Sequence, residues 1–355
     1  MFVRNCWYVA GWNYELGAGE LISRTIINEP VVLYRAADGG LVALEDRCCH
    51  RFAPLSHGRL EGDDLRCMYH GLRFSRAGVC LEIPGQETIP ARARVKAYPA
   101  VEKHSWIWVW MGEPEAADEA LIPAAVGLDD PQWNLRSGQM DYEANYLLIN
   151  DNLTDFTHLS YVHRNSFGTS EEFALTRPDI LPLDRGIRVQ RWLANAIRAD
   201  VDNPLTNQRN LPPDNDQWQT YDYLAPGILL MYSAMFPTGF GERLGKRPPT
   251  TDDGTPLSAH FTSQAVTPMT DRTSRYFFSW GPLAGEGSDE LAEGMLSLAN
   301  VAFAEDKQII EAQQRVIDTT PAVKEVLTSA DVGPMQMRSV INQLIKAEAS
   351  SRGIQ

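Results

Sequence analysis

Two short segments restrict this chain more than any others: Cys48-x-His50 and, after sixteen intervening residues, Cys67-x2-His70. Each offers one thiolate and one imidazole, so the four donors meet at one point only if a rigid frame holds two loops side by side. The surrounding sequence supplies such a frame. Runs rich in β-branched and aromatic residues at 31–34, 41–44, 72–74 and 105–110 are separated by Gly, Asp and Pro, which predicts a small all-β domain. Two thiols with two imidazoles suit a Cys2His2 zinc site, or a two-iron cluster in which two histidines replace two cysteines on one iron. The five cysteines are an odd number, and residues 1–6 lack the apolar run of a signal peptide. A disulfide framework is therefore not expected, and clustered cysteines read as metal ligands.

The residues around these donors separate zinc from iron. The segments Cys48-Cys49-His50-Arg51-Phe52-Ala53-Pro54-Leu55-Ser56-His57-Gly58 and Cys67-Met68-Tyr69-His70-Gly71-Leu72-Arg73-Phe74 closely resemble the paired cluster loops of Rieske iron–sulfur proteins. That resemblance implies a [2Fe-2S] cluster with Cys48 and Cys67 on an inner iron and His50 and His70 on an outer iron near the surface. Glycines in the loops let backbone amides approach the sulfides, where such hydrogen bonds help set the potential. Cys49 stands where relatives often carry proline, and Met68 takes the matching place in the second loop, so no thiol pair is available to cross-link them. The loops therefore resemble the soluble oxygenase type, with a potential toward the lower end of a range of roughly −150 to +300 mV. Cys49, His57 and His104 are read as bystanders.

A second group of donors lies at 150–163, N-D-N-L-T-D-F-T-H-L-S-Y-V-H, led in by Tyr146, Leu147, Leu148 and Ile149. On a regular helix Asp151, Asp155 and His158 share a face, while His163 sits about 140° round from His158. Both imidazoles reach one point only if the helix ends or bulges between them, a distortion common at functional sites. A metal held where a helix breaks is one reading; a helix with two ordinary histidines is the other. A long helix predicted at 289–318, with Ser288 as N-cap and two acids in its first turn, bears on the choice. Its expected apolar stripe runs through Leu291, Met295, Leu298, Ala302, Ile309 and Val316, with Asp306 at its centre and Glu305 pointing to the side. A carboxylate on a buried stripe needs a cation or hydrogen-bond donors. Asp306 thus either forms a buried ion pair or completes a two-His, one-carboxylate face on iron(II).

Between 113 and 131 the composition turns acidic and Pro-bearing, which predicts a joint between domains 1–115 and 116–355. Apolar runs at 187–193, 218–223, 228–235, 261–267 and 276–280 read as strands of an antiparallel sheet. The order of Rieske-like loops, then N-D-N-L-x-D-x-x-H-x4-H, then a late helix bearing F-A-E-D-K resembles the catalytic subunits of Rieske non-haem iron oxygenases along nearly the whole chain. It is most similar to the O-demethylase branch, which includes the vanillate and dicamba demethylase oxygenases. The resemblance implies an α+β chain: an all-β Rieske [2Fe-2S] domain followed by a helix-grip, START-like catalytic domain with an antiparallel sheet. It also implies mononuclear Fe(II) on His158, His163 and Asp306, with Asn152 close by. Asp155 is expected to place its carboxylate between an iron-bound histidine and His70 of a neighbouring subunit in a head-to-tail homotrimer. Half of that contact follows from spacing, since Asp155 and His158 are i, i+3 neighbours on any helix.

The activity so implied is O-demethylation of a methoxylated aromatic acid with O2, releasing formaldehyde. Ring or methyl hydroxylation by the same iron chemistry is the alternative, and an electron carrier or ligand-binding protein with an inactive second domain is a further one. Met231, Phe236, Gln264 and Trp280 are candidate pocket residues. Electrons are expected from a separate flavin and iron–sulfur reductase using NAD(P)H, or a ferredoxin, because no dinucleotide-binding glycine fingerprint is present. The 46 acidic against 32 basic side chains, net −14, argue against nucleic acid or an anionic membrane as partner, although a negative patch suits a basic redox protein. Apolar stretches fall short of the ~18 residues that span a bilayer, so a cytoplasmic protein is expected.

Overall fold

The run Trp106–Trp110, WIWVW, is buried at every position, as is Trp7–Trp12, WYVAGW. Unbroken apolar strands of this kind need cover on both faces, and the two pair antiparallel. The computed structural model describes residues 1–164, 166, 171–194 and 215–351. It divides into two units: Met1–Ile122 with Thr267–Asp271, and Pro123–Val266 with the described part of Arg272–Gln355.

The first unit is all β apart from single 3-10 turns. Strands β1 (Trp7–Trp12), β2 (Ile22–Ile26), β3 (Glu29–Arg35), β4 (Leu41–Glu45), β5 (Arg59–Glu61), β6 (Asp64–Arg66), β7 (Arg73–Phe74), β8 (Cys80–Glu82), β9 (Ala97–Tyr98), β10 (Ala100–Lys103) and β11 (Trp106–Trp110) follow in order. They form three sheets, β1-β11-β10, β2-β3-β4-β9 and β5-β6-β7-β8. Val32, Tyr34, Leu44, Leu55, Leu65 and Phe74 make one core with the thiols of Cys48 and Cys67 inside it.

The second unit is a seven-stranded sheet, built from β12 (Arg136–Tyr142), β13 (Asp179–Leu183), β14 (Gly186–Leu193), β15 (Asp216–Leu224), β16 (Ile228–Phe236), β17 (Ser258–Pro268) and β18 (Ser274–Pro282). The order is β12-β18-β17-β16-β15-β14-β13. Helices α1 (Tyr146–Thr154), α2 (Glu171–Leu175), α3 (Phe240–Arg243), α4 (Asp289–Thr319) and α5 (Val332–Ser351) accompany it. α4 lies along β12 and β18, and α5 along α1 and β14. Asp151 of α1 accepts from Arg338 Nε of α5 at 2.8 Å, tying the two helices together.

The buried face of α4 departs from the expected stripe. It runs through Leu291, Ala292, Met295, Ala299, Ala302, Asp306, Ile310 and Gln314, whereas Ile309 and Val316 are 53% and 58% exposed. Residues four apart advance ~40° around a straight helix, so a stripe spaced by fours winds about it. The winding has a cause: the first half meets the sheet, while Gln314 near the far end accepts from Asn145 N at the start of α1. Among the described residues, no helix is long and apolar enough to cross a membrane.

Candidate functional site

The two cluster loops of the first unit repeat one local design. Cys48 N donates to Ala53 O at 2.9 Å and Phe52 N to Cys48 O at 2.9 Å; Cys67 N donates to Leu72 O at 2.8 Å and Gly71 N to Cys67 O at 3.0 Å. Gly71 needs its left-handed φ of +76°, and a Cβ there would stand 2.8 Å from Pro84 Cγ. Asp46, buried under the first loop, accepts from Ser23 Oγ, Ser56 N and Ser56 Oγ, each at 2.7 Å. The loops thereby place two thiols inside and two imidazoles outside: Cys48 and Cys67 are 1% exposed, while His50 and His70 are exposed with ring centres 4.5 Å apart. Burial, with Cys67 alongside, pushes the Cys48 thiol up to about 12. Such a pair becomes thiolate only against a strong local positive charge of the kind a bound metal centre supplies. Cys49 and His57 take no part in this pattern, and His104 sits at a turn with φ +57°.

In the second unit the helix does end, but earlier than the spacing argument placed the break. α1 stops at Thr154, Asp155 is extended with φ −131° and ψ 104°, and a 3-10 turn spans Phe156–Ser160. His158 rides on that turn and His163 follows it. One difference from expectation concerns Asp155. Its main-chain carbonyl, and not its carboxylate, accepts from His158 Nδ1 at 2.7 Å. The carboxylate instead caps the new turn through Thr157 N at 2.8 Å, because a residue in extended backbone no longer stands in helical i, i+3 relation to its neighbour.

His158, His163 and Asp306 nevertheless converge, each offering a ligand atom within 4.8 Å of the others. Asp306 Oδ1 is 3.2 Å from His163 Nε2 and 3.5 Å from His158 Nε2. Asn152 Nδ2 donates to the same oxygen at 3.0 Å and lies 3.3 Å from His158 Nε2. The outer nitrogens decide the chemistry. His158 Nδ1 donates to a carbonyl, and His163 Nδ1 donates to Glu305 Oε2 at 2.9 Å. Both rings are thereby held with Nε2 lone pairs facing the Asp306 carboxylate, a donor set suited to a divalent metal. Burial holds His158 below its ordinary value although Asp306 opposes it. Burial also works to lower His163, but Asp306 and Glu305 together lift it above the ordinary value. Helical spacing points Glu305 to the side of the stripe, and its role shows only in its pairing with His163.

The face of the sheet that meets α1, through Tyr223 Oη near Asn150 at 3.0 Å, carries a row of polar side chains. Cross-strand registers align Arg191 with Gln219, Gln219 with Ser233, and Ser233 with His260, and Trp280 Nε1 donates to His260 Nδ1 at 2.9 Å. Ser233 Oγ is buried and has no hydrogen-bond partner among the described residues. Arg191, 5% exposed, rests 4.1 Å over the Phe173 ring and donates to Gln219 Oε1 and Thr176 O. Met231, Gln264 and Trp280 share this inner face. Phe236 does not: it packs outside with Trp218 and Phe240, one residue out of phase in a two-residue repeat. The outer face opens a cavity of about 710 Å³ lined by Arg188, Thr220, Asp222, Tyr232 and Phe261, on the side away from the trio.

Two thiols and two imidazoles in a β frame, with a two-His, one-carboxylate trio in a separate unit, define an oxygen-activating iron protein that carries its own electron relay. Residues 6–99 match the Rieske [2Fe-2S] domain, and residues 142–347 match the vanillate O-demethylase oxygenase C-terminal domain. The chain is 41% identical to the iron–sulfur subunit of the toluene-4-sulfonate monooxygenase system of Comamonas testosteroni, over 98% of each. It is 32% identical to the vanillate O-demethylase oxygenase subunit of a Pseudomonas species, over 98% of this chain and 96% of that one. The crystal structure of dicamba monooxygenase bound to 3,6-dichlorosalicylic acid superposes with a TM-score of 0.86 at 30% identity, covering 98% and 99% of the two chains. The chain belongs to the vanillate O-demethylase branch of the Rieske non-haem iron oxygenases. It is the oxygenase component of a multicomponent monooxygenase, with a Rieske [2Fe-2S] cluster and mononuclear iron as cofactors.

Proposed function

We propose that the protein O-demethylates a methoxylated aromatic acid. The observation that carries this reading is the inner-face row, in which the buried Arg191 has no carboxylate in salt-bridge reach among the described residues and Ser233 Oγ has no partner. A buried guanidinium without a counter-ion beside a buried hydroxyl without a partner suits an anionic group, and the acid group of an aromatic substrate supplies one. Cys48, Cys67, His50 and His70 hold the cluster, and His158, His163 and Asp306 hold the iron, which when bound activates O2 with electrons relayed by the cluster.

The chain's own residues do the rest. The Asp155 carbonyl orients His158, and its partly exposed carboxylate stands ready for His70 of the partner subunit in a head-to-tail trimer. Asn152 fixes the Asp306 carboxylate, and the polar row orients the acid group so that the methyl carbon faces the trio. Methyl oxidation consumes O2, two electrons and two protons, yields water and a hemiacetal, and the hemiacetal splits to a phenol and formaldehyde. A cytoplasmic flavin and iron–sulfur reductase, or a ferredoxin, supplies the electrons.

A second reading, hydroxylation of an aryl methyl group, is favoured by the likeness to the toluene-4-sulfonate monooxygenase subunit. Turnover with a reductase on 4-methoxybenzoate and on 4-methylbenzenesulfonate separates the two. Formaldehyde rising in step with loss of the methoxy acid supports demethylation. A benzylic alcohol from the sulfonate, with no formaldehyde from the methoxy acid, favours hydroxylation.

A further inference from the structure

Two carboxylates stand side by side on α4, and they do different things. Asp306 faces the metal point directly. Glu305 lies ~100° round the helix and reaches it through an imidazole: its Oε2 accepts from His163 Nδ1 at 2.9 Å and from Ser166 Oγ at 2.6 Å. Ser166 N in turn donates to His163 O at 3.1 Å, closing the turn that carries the histidine. His163 is fully buried, and the Glu305 side chain is 27% exposed. The other imidazole is treated differently, since among the described residues His158 Nδ1 donates to a neutral carbonyl.

We propose that Glu305 is the positioning and charge-balancing residue of the mononuclear metal site, acting through His163, with Ser166 as its brace. The inference rests on the metal reading of His158, His163 and Asp306. A carboxylate on the far nitrogen makes the near nitrogen a stronger donor and fixes both tautomer and ring orientation. It also brings a second negative charge to a buried site, so that a divalent cation is matched by Asp306 and Glu305 together. The two histidines are therefore unequal ligands: His163 is the strongly bound one and His158 the weaker.

The test uses the cluster-containing protein with its mononuclear iron removed by mild chelation and Co(II) as probe. Binding is followed by equilibrium dialysis, together with the paramagnetically shifted exchangeable imidazole N–H resonances. Glu305→Ala is expected to weaken Co(II) binding roughly 10- to 100-fold and to lose one of the two shifted resonances by fast exchange. Glu305→Gln keeps an oxygen that accepts from Nδ1, so the resonance persists while the affinity falls by a smaller factor. Ser166→Ala, which keeps the charge, falls least. Co(II) binding by Glu305→Ala within about twofold of the wild type would overturn the proposal. Should that variant fail to hold its cluster, Glu305→Gln decides alone, and unchanged affinity there overturns it equally. Asp306→Ala separates the underlying reading: if it too binds Co(II) normally, the metal site itself has been misplaced.

Discussion

The two metal-bearing regions reach their donors by opposite routes. In the first unit each loop organises itself: a main-chain pair of hydrogen bonds around Cys48 is repeated around Cys67, and only the pairing of the small sheet is needed to bring the loops together. In the second unit the groups that meet come from distant parts of the chain, with Asn152 and Asp306 separated by 154 residues and His163 and Glu305 by 142. They meet because a broken helix and a long helix pack at one end of a sheet. The first site is thus a fixed device with exposed imidazoles suited to passing electrons. The second is a buried point with a sheet face beside it, where strands can change side chains without disturbing the metal.

The sharpest way to break the comparison is a reciprocal pair of variants. Cys48→Ser should abolish acid-labile sulfide and the visible cluster spectrum while leaving mononuclear iron bound. Asp306→Ala should leave the spectrum intact and reduce iron to the amount that accompanies sulfide. Loss of both metals in either variant would show that the two regions are not independent.

A smaller effect is expected where the regions must cooperate. Asp155→Asn leaves the carbonyl that orients His158 in place, so both metals should remain. Coupled turnover should nevertheless fall by roughly 10- to 100-fold. Full activity in that variant would remove Asp155 from the electron route.

The smallest effect concerns protonation in the cluster-free protein. Burial raises the Cys48 thiol from its ordinary 9.0 to about 12. A group whose folded value is raised contributes stability that is fully present below the ordinary value and is lost as pH climbs through the folded one. The cluster-free first unit should therefore weaken as pH rises from 9.0 toward about 12, read by fluorescence of the Trp106–Trp110 strand. Cys48→Ala should flatten that slope.

Much of both sites was legible in the residues. The Cys-x-His and Cys-x2-His loops were legible through the resemblance of their flanking residues to Rieske cluster loops, and their main-chain hydrogen bonds are local to each loop. The N-cap Ser288 and the acidic first turn of α4 are likewise local, and the structure places the Ser288 cap against Leu291 N. Asp306 stood out because a carboxylate on an apolar stripe demands an explanation wherever the helix packs.

Other features depended on partners that no window of neighbouring residues contains. The stripe of α4 winds to Ile310 and Gln314 because the helix passes from the sheet to α1, and an average period cannot register a change of partner. Asp155 meets His158 by its carbonyl because α1 ends at Thr154. Glu305 matters only because the turn carrying His163 lies against its flank, and Phe236 faces outward through strand phase. The sequence by itself determined which donors this protein has, since ligand chemistry and local backbone geometry reside in a few adjacent residues. Tertiary structure decided which neighbour holds each donor, since those contacts join segments more than a hundred residues apart.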